Sequence, residues 1–211
     1  MQFVIFIPIL FFSIIVHEFA HGYVAYRMGD DTAYLSGRLT LNPLHHIDPV
    51  GTVGVPLLCF ATGLPLFGWA KPVPVNPLRL PSPRTDMGKV AVAGPAVKLM
   101  LALLFTLVFK GMLLLQGVVF SPDTLQHTWP FFQYGILINV MLAVFNLLPI
   151  APLDGGRIVT ALLPLSAART YSQFFERYGM WIVIGLILTG LVRYLILPPA
   201  VLVLDLIGKI L

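Results

Sequence analysis

Residues 3–27 read FVIFIPILFFSIIVHEFAHGYVAYR, and this stretch decides the fold. From Phe3 to Val16 there is no charge, and the helical pattern continues through Gly22-Tyr23-Val24-Ala25-Tyr26 to Arg27. At about 1.5 Å of rise per residue, the stretch is long enough to cross roughly 30 Å of hydrocarbon. Yet His17, Glu18 and His21 stand inside it. Ionisable side chains at bilayer depth are costly, so three of them together mark a functional site. No basic n-region and no small-residue cleavage site precede the motif, so residues 1–27 are expected to be a retained helix and not a signal peptide.

Composition extends this reading. Of 211 residues, 58% are apolar and 10% charged, and the mean hydropathy is +0.90. A soluble domain is about a quarter charged, so this is an integral membrane protein. The length suits a single domain, residues 1–211. The net charge of +4 comes without a basic run. Cationic residues sit at the ends of apolar segments, which implies a lipid bilayer around the chain and no nucleic-acid partner. A lone cysteine, Cys59, excludes an intrachain disulfide framework.

Four segments are predicted to span: Phe3–Arg27, Gly88–Gly117, Phe131–Ile150 and Tyr178–Leu197. The shorter apolar tail Ala200–Leu211 follows Pro198-Pro199, and lies at the interface or packs on the bundle. Residues 32–41, TAYLSGRLTL, read as strand material between turn signals. Val50–Gly68 is apolar, but Pro56, Pro65, Gly51, Gly54, Gly63 and Gly68 break it. If it does not span, Arg27, Arg38, Lys71, Arg79, Arg84 and Lys89 fall on one side, and Arg157, Arg169 and Arg177 join them two spans later. The positive-inside rule favours that layout, so Val50–Gly68 reads as a re-entrant or membrane-lying element. The expected fold is an all-α polytopic membrane protein. It is a bundle of four or more transmembrane helices with a small membrane-associated β element and a re-entrant segment on the cytoplasmic side. The N-terminus would lie outside and residues 28–87 in the cytosol. His21 would then sit six residues, about 9 Å of helix, from the inner end at Arg27.

Histidines at i and i+4 share one helix face, so two imidazoles can meet one tetrahedral Zn2+, with the adjacent Glu18 as general base toward water. A catalytic site needs a third ligand from elsewhere in the chain. The third span closes on Asn139, Asn146 and then LPIAPLDGGR at 148–157. Its prolines are expected to end the helix and its glycines to form a tight turn, with Asp154 at the depth of His21. Asp154 is the best-placed acid for the third ligand; the alternative is a turn or cap aspartate.

HEFAH (17–21) in an apolar helix and NLLPIAPLDGG (146–156) in a later one resemble the site-2 protease family of intramembrane zinc metalloproteases. GRLTLNPLHHIDPVGT (37–52), GWAKPVPVNP (68–77) and AGPAVKL (93–99) support the likeness, which extends from residue 17 to residue 157. They are similar to the compact prokaryotic subgroup without an inserted PDZ domain. The resemblance implies a zinc metalloendopeptidase with one Zn2+ per chain, held by His17, His21 and Asp154. Glu18 would activate water to attack a peptide carbonyl. The substrate, and partner, would be the transmembrane helix of a membrane protein, locally unwound, as in regulated intramembrane proteolysis. The location implied is a prokaryotic cell membrane, with the active site toward the cytoplasm. The oligomeric state stays open.

The chain departs from the family at one position. Members often carry Asn three residues after the proline of AGP, where this chain has Lys98. Lys98 could stabilise an oxyanion, pair with Glu18 or Asp154, or snorkel to the interface. Asn139 and Asn146, one heptad apart, are the other candidate oxyanion or substrate-positioning donors, or else interhelical hydrogen bonds. The strand expected at 32–41 could take up unwound substrate by strand addition, or simply cap the cytoplasmic side. His45, His46 and Asp48 lie in a Pro-bounded turn with no further ligand cluster, which argues against a second metal site. The basic residues of 71–89 set topology or meet anionic headgroups, and Tyr171–Tyr178 reads as an interfacial connector. Two other function classes compete. A non-catalytic scaffold would not need Glu18, and a metal transporter would spread ligands over repeated helices, which this sequence lacks.

Overall fold

A computed structural model describes residues 2–63, 68 and 70–211, and over these the chain is helical. In order come α1 (Gln2–Arg27), α2 (Thr32–Leu35), α3 (Val55–Thr62), α4 (Pro83–Leu114), α5 (Pro122–Asn146), α6 (Asp154–Leu162), α7 (Leu165–Leu188) and α8 (Val192–Gly208). Helices α1, α4 and α5 are long and apolar enough to cross a membrane, and the bent pair α7–α8 supplies at most a fourth crossing. This is a multi-pass membrane protein. Helix α4 is its centre, with α1, α5 and α6 against it.

Two spans start earlier than the hydropathy suggests. Helix α4 begins at Pro83 and α5 at Pro122, each at a position where proline's missing N–H costs nothing. The Ser121 hydroxyl accepts the Thr124 amide at 3.1 Å and secures the α5 start.

The predicted fourth span, Tyr178–Leu197, straddles a break. Helices α7 and α8 meet at 81°, with Gly190 between them at φ 70°. Only glycine takes that conformation cheaply, so the chain turns there. Pro198 and Pro199, where the sequence suggests the break, lie inside α8. Each removes one ladder donor without redirecting the chain. The tail packs on the bundle. Ile196 and Ala200 share a core with Ala102, Ile136, Val140 and Val144, and the Lys110 ammonium donates to the Ile210 carbonyl. Helix α8 packs chiefly against α5.

The β element expected at 32–41 is not there. Thr32–Leu35 is a helical turn, Gly37 reverses the chain at φ 65°, and no strand occurs among the described residues. The cause is local. The Asp30 carboxylate accepts both the backbone N–H of Thr32, at 3.1 Å, and its hydroxyl. Such side-chain bonds favour a turn over the β preference of the residues that follow.

The segment expected to re-enter forms a π-helical turn, Pro49–Gly54, started by the Asp48 carboxylate on the amides of Val50 and Gly51. It continues as α3 and stops at Gly63, φ 70°. Neither helix approaches spanning length, and the part at 64–67 lies outside the described residues.

Candidate metal centre

Helix periodicity sets the first half of the site. His17 and His21 lie one turn apart on α1, both buried, with Nε2 atoms 3.0 Å apart and rings edge to face. The Asp154 carboxylate, at the first residue of α6, comes within 3.3 Å of each through Oδ2 and Oδ1. Among the described residues, His17, His21 and Asp154 are the one group of three or more such side chains able to share a metal ion. Zinc bonds of about 2.0–2.1 Å at tetrahedral angles put ligand atoms about 3.3 Å apart, which matches this spacing. Asp154 Oδ2 is buried without a hydrogen-bond partner. That is expensive for a bare carboxylate and is relieved by a cation. The residues fit zinc.

Helix α4 orients the histidines. His21 Nδ1 lies 2.7 Å from the Val90 carbonyl, so it carries the proton and Nε2 keeps its lone pair for a metal. A Cβ on Gly94 would fall 2.3 Å from His17 Cε1 and 2.6 Å from His21 Cε1, so only glycine lets the rings lie against α4. Pro95 follows inside the same helix. The AGP motif thus makes room for both ligands. His17 Nδ1 has no corresponding partner among the described residues.

The position of Asp154 depends on two glycines, though not in the way the sequence suggests. Gly155 and Gly156 do not form a turn; they are buried in the first turn of α6. A Cβ on Gly155 would lie 2.3 Å from the carbonyl oxygens of Leu147 and Leu148, and one on Gly156 would lie 2.4 Å from Ala151 N. The missing side chains let the 147–153 loop press on the helix that carries Asp154. Gly179 of α7 holds the loop from the other side, where a Cβ would strike the Ala151 carbonyl, and Gly88 brings α4 against Ala161 of α6.

Glu18 is half-buried beside the ligands, and its Oε2 accepts the Val73 amide at 2.9 Å. Lys98 does not snorkel. It is 1% exposed, and its ammonium lies 3.4 Å from the Ser13 carbonyl, with no ion pair to Glu18 or Asp154 within 4.0 Å. Ser13 precedes His17 by one turn and Lys98 follows Gly94 by one turn, so the cation lies one turn beyond the histidine rings. Asn139 and Asn146 make no interhelical bond from Nδ2: each donates one turn back in α5, to Gly135 and Leu142, both at 2.8 Å. The Oδ1 of Asn139 is buried and unpartnered among the described residues. His46 is buried on the Thr40 carbonyl, His45 is exposed, and Asp48 caps its turn, so these three form no metal group. The sequence reading missed Gly94, the Val90 carbonyl and the Val73 amide. Two of these are backbone groups, which leave no mark in residue identity.

A buried His-His-Asp trio with an adjacent glutamate, brought together by a membrane-length helix and the short α6, has the donor set of a zinc metalloprotease. Comparison with known proteins agrees. Residues 111–190 match the model of Peptidase family M50. The chain is 42% identical over 194 residues to the "Putative zinc metalloprotease YwhC" of Bacillus subtilis, covering 90% of this chain and 82% of that protein. It is 30% identical over 178 residues to the "Putative zinc metalloprotease Rip2" of Mycolicibacterium smegmatis, covering 84% and 64%. A Mycobacterium tuberculosis protein of the same name is 34% identical over 146 residues, covering 68% and 51%. The chain thus spans most of YwhC but less than two-thirds of the Rip2 proteins. No solved structure matches. The chain belongs to peptidase family M50, the site-2 protease family, whose cofactor is zinc.

Proposed function

We propose that this chain is an intramembrane zinc endopeptidase that hydrolyses peptide bonds within or near transmembrane segments of membrane-protein substrates. The observation that carries the reading is the trio of ligand atoms from α1 and α6, 3.0–3.3 Å apart in a buried site, with Glu18 next to it. His17, His21 and Asp154 hold one Zn2+ per chain. Bound zinc supplies a Lewis acid that polarises the scissile carbonyl and lowers the pKa of water. Glu18 is the general base. One of its oxygens is occupied by the Val73 amide, and the other takes the proton of the attacking water and passes it to the leaving nitrogen. Lys98, buried one turn from the histidine rings, serves the tetrahedral oxyanion, and Asn139 and Asn146, each with a second amide proton beyond its bond inside α5, are the alternative donors. The apolar walls of α1, α4 and α5 suit a substrate helix that unwinds at the metal, with lipid around the bundle.

Charge supports a cytoplasmic-facing site in a prokaryotic cell membrane. Arg27 ends α1 six residues past His21, and Arg79, Arg84 and Lys89 cluster at the start of α4.

The test is cleavage of a panel of transmembrane reporter helices by wild type and Glu18→Gln. Wild type cuts, and the variant loses on the order of a hundredfold or more of activity, as expected for a missing general base. The variant keeps its zinc. Equal cutting by both proteins defeats the proposal.

A further inference from the structure

The extended segment 70–76, AKPVPVN, crosses α1 beside the general base, and its course is over-determined. Lys71 and Val73 each precede a proline, which restricts both to extended backbone, and Pro72 and Pro74 fix their own φ. Proline carries no N–H, so Val73 supplies the one amide donor between Lys71 and Val75. That donor goes to Glu18 Oε2 at 2.9 Å. The Val73 side chain is buried against Gly22, where an added Cβ would stand 2.8 Å from its Cγ1.

Both ends of the segment are tied by buried charged side chains. The Arg38 guanidinium donates through Nη2 to the carbonyls of Lys71, at 2.7 Å, and Pro72, at 3.2 Å. The Lys71 amide donates to the His46 carbonyl at 3.0 Å. At the other end the Asn76 amide donates to Asp30 Oδ2 at 2.6 Å. Asp30 is fully buried and Arg38 is 9% exposed. Charged residues are almost never buried unless paired; here Arg38 is turned onto the strap's carbonyls, and Asp30 gives Oδ2 to the strap and Oδ1 to Thr32. Without these ties the strap is a short coil held to α1 by the Val73 side chain and by its amide bond to Glu18.

We propose that Arg38 and Asp30 are positioning residues for the reaction. They clamp segment 70–76 so that the Val73 amide holds one oxygen of Glu18 and leaves the other aimed at the attacking water. The clamp acts through Glu18, so this inference rests on Glu18 being the general base. A misaimed base slows turnover without altering how a substrate helix binds, so the effect falls on kcat and not on KM.

The experiment uses the full chain in lipid vesicles with a transmembrane reporter helix that the wild type cuts. Kinetics and zinc content are measured for Val73→Pro, which removes the amide donor and replaces the buried valine side chain in an already extended run, for Val73→Ala, which trims that side chain but keeps the donor and should hold its kcat, and for Arg38→Ala, Arg38→Lys, Asp30→Ala and Asp30→Asn. The expected result is a fall in kcat of about tenfold or more for Val73→Pro and Arg38→Ala, with KM within about twofold and zinc retained. Arg38→Lys, which still serves one carbonyl, and Asp30→Asn, which keeps an acceptor for Asn76, should each recover part of the loss relative to alanine. Wild-type kcat in Val73→Pro overturns the inference, as does a rise in KM alone, which would make the strap a substrate-binding element. If Arg38→Ala loses its zinc, Arg38→Lys and Val73→Pro decide. Glu18→Gln separates the two claims. If it is inactive while the strap variants turn over normally, only the clamp is wrong. If it cuts like wild type, the general-base reading itself has failed.

Discussion

The two halves of the metal centre are built by different means. His17 and His21 meet because they are four residues apart on one helix, so any intact α1 delivers both rings to one face. Asp154 lies more than 130 residues further along the chain, and it arrives only because a loop and three helices pack closely at glycines. A carboxylate placed by tertiary packing is more sensitive to small changes in volume than a pair placed by helical pitch. The two halves meet at α4, where Gly94 faces the histidine rings and Gly88 faces α6.

This contrast can be broken by mutation. The largest effect should come from the ligands themselves. Asp154→Ala or His21→Ala should weaken zinc retention by more than the roughly 10–100-fold typical of losing an outer-shell partner. Equilibrium dialysis against a chelator measures this. Zinc content equal to wild type in Asp154→Ala would remove it as a ligand.

The glycines come next. Gly155→Ala puts a methyl group against two backbone oxygens, which cannot swing aside as a side chain can. Overpacking of this kind costs about 1–3 kcal/mol or more, and it should act on Asp154 first, lowering both zinc affinity and thermal stability in detergent. Gly94→Ala should reduce zinc affinity by displacing both rings, with less effect on stability. If Gly155→Ala lowers neither quantity, the packing account of the second half fails.

The smallest effect concerns the strap. Burial alone would raise the Asp30 carboxyl, but its bonds from the Thr32 hydroxyl and from the amides of Asn76 and Thr32, with the Arg79 charge nearby, lower it below its ordinary 3.8. A depressed carboxylate stabilises the fold fully above its unfolded value, and the contribution is lost as pH falls through the lowered one. The difference in melting temperature between wild type and Asp30→Asn should therefore be complete at neutral pH and vanish in strong acid. A difference that persists unchanged in acid would show that Asp30 acts only as a hydrogen-bond acceptor.

Much of the site was legible in the chain because the rules that place it are short-ranged or energetic. The HExxH spacing sets a common face, and the cost of His and Glu among apolar residues singles them out. Asp154 could be guessed because few acids lie at the right depth. Other features were misread for identifiable reasons. Residues 32–41 have β-type composition, yet the Asp30 side chain turns the backbone at Thr32. Pro198-Pro199 looked like a helix end, yet Gly190 redirects the chain. Arg38 read as a topology signal, although its guanidinium is folded back onto two carbonyls.

By itself the sequence pointed to a membrane protein, put two candidate ligands and a candidate base within one helical stretch of α1, and offered Asp154 as the best-placed acid beside them. Composition and periodicity decide such matters within a single element. Only the tertiary structure decided how Asp154 reaches the histidines, what fixes the His21 tautomer, and what holds Glu18. Those answers lie in the Val90 carbonyl, the Val73 amide, and the absent side chains of Gly94 and Gly155. Backbone groups are the same at every position, and a glycine's meaning depends on its neighbour in space, so only the packed molecule reveals either.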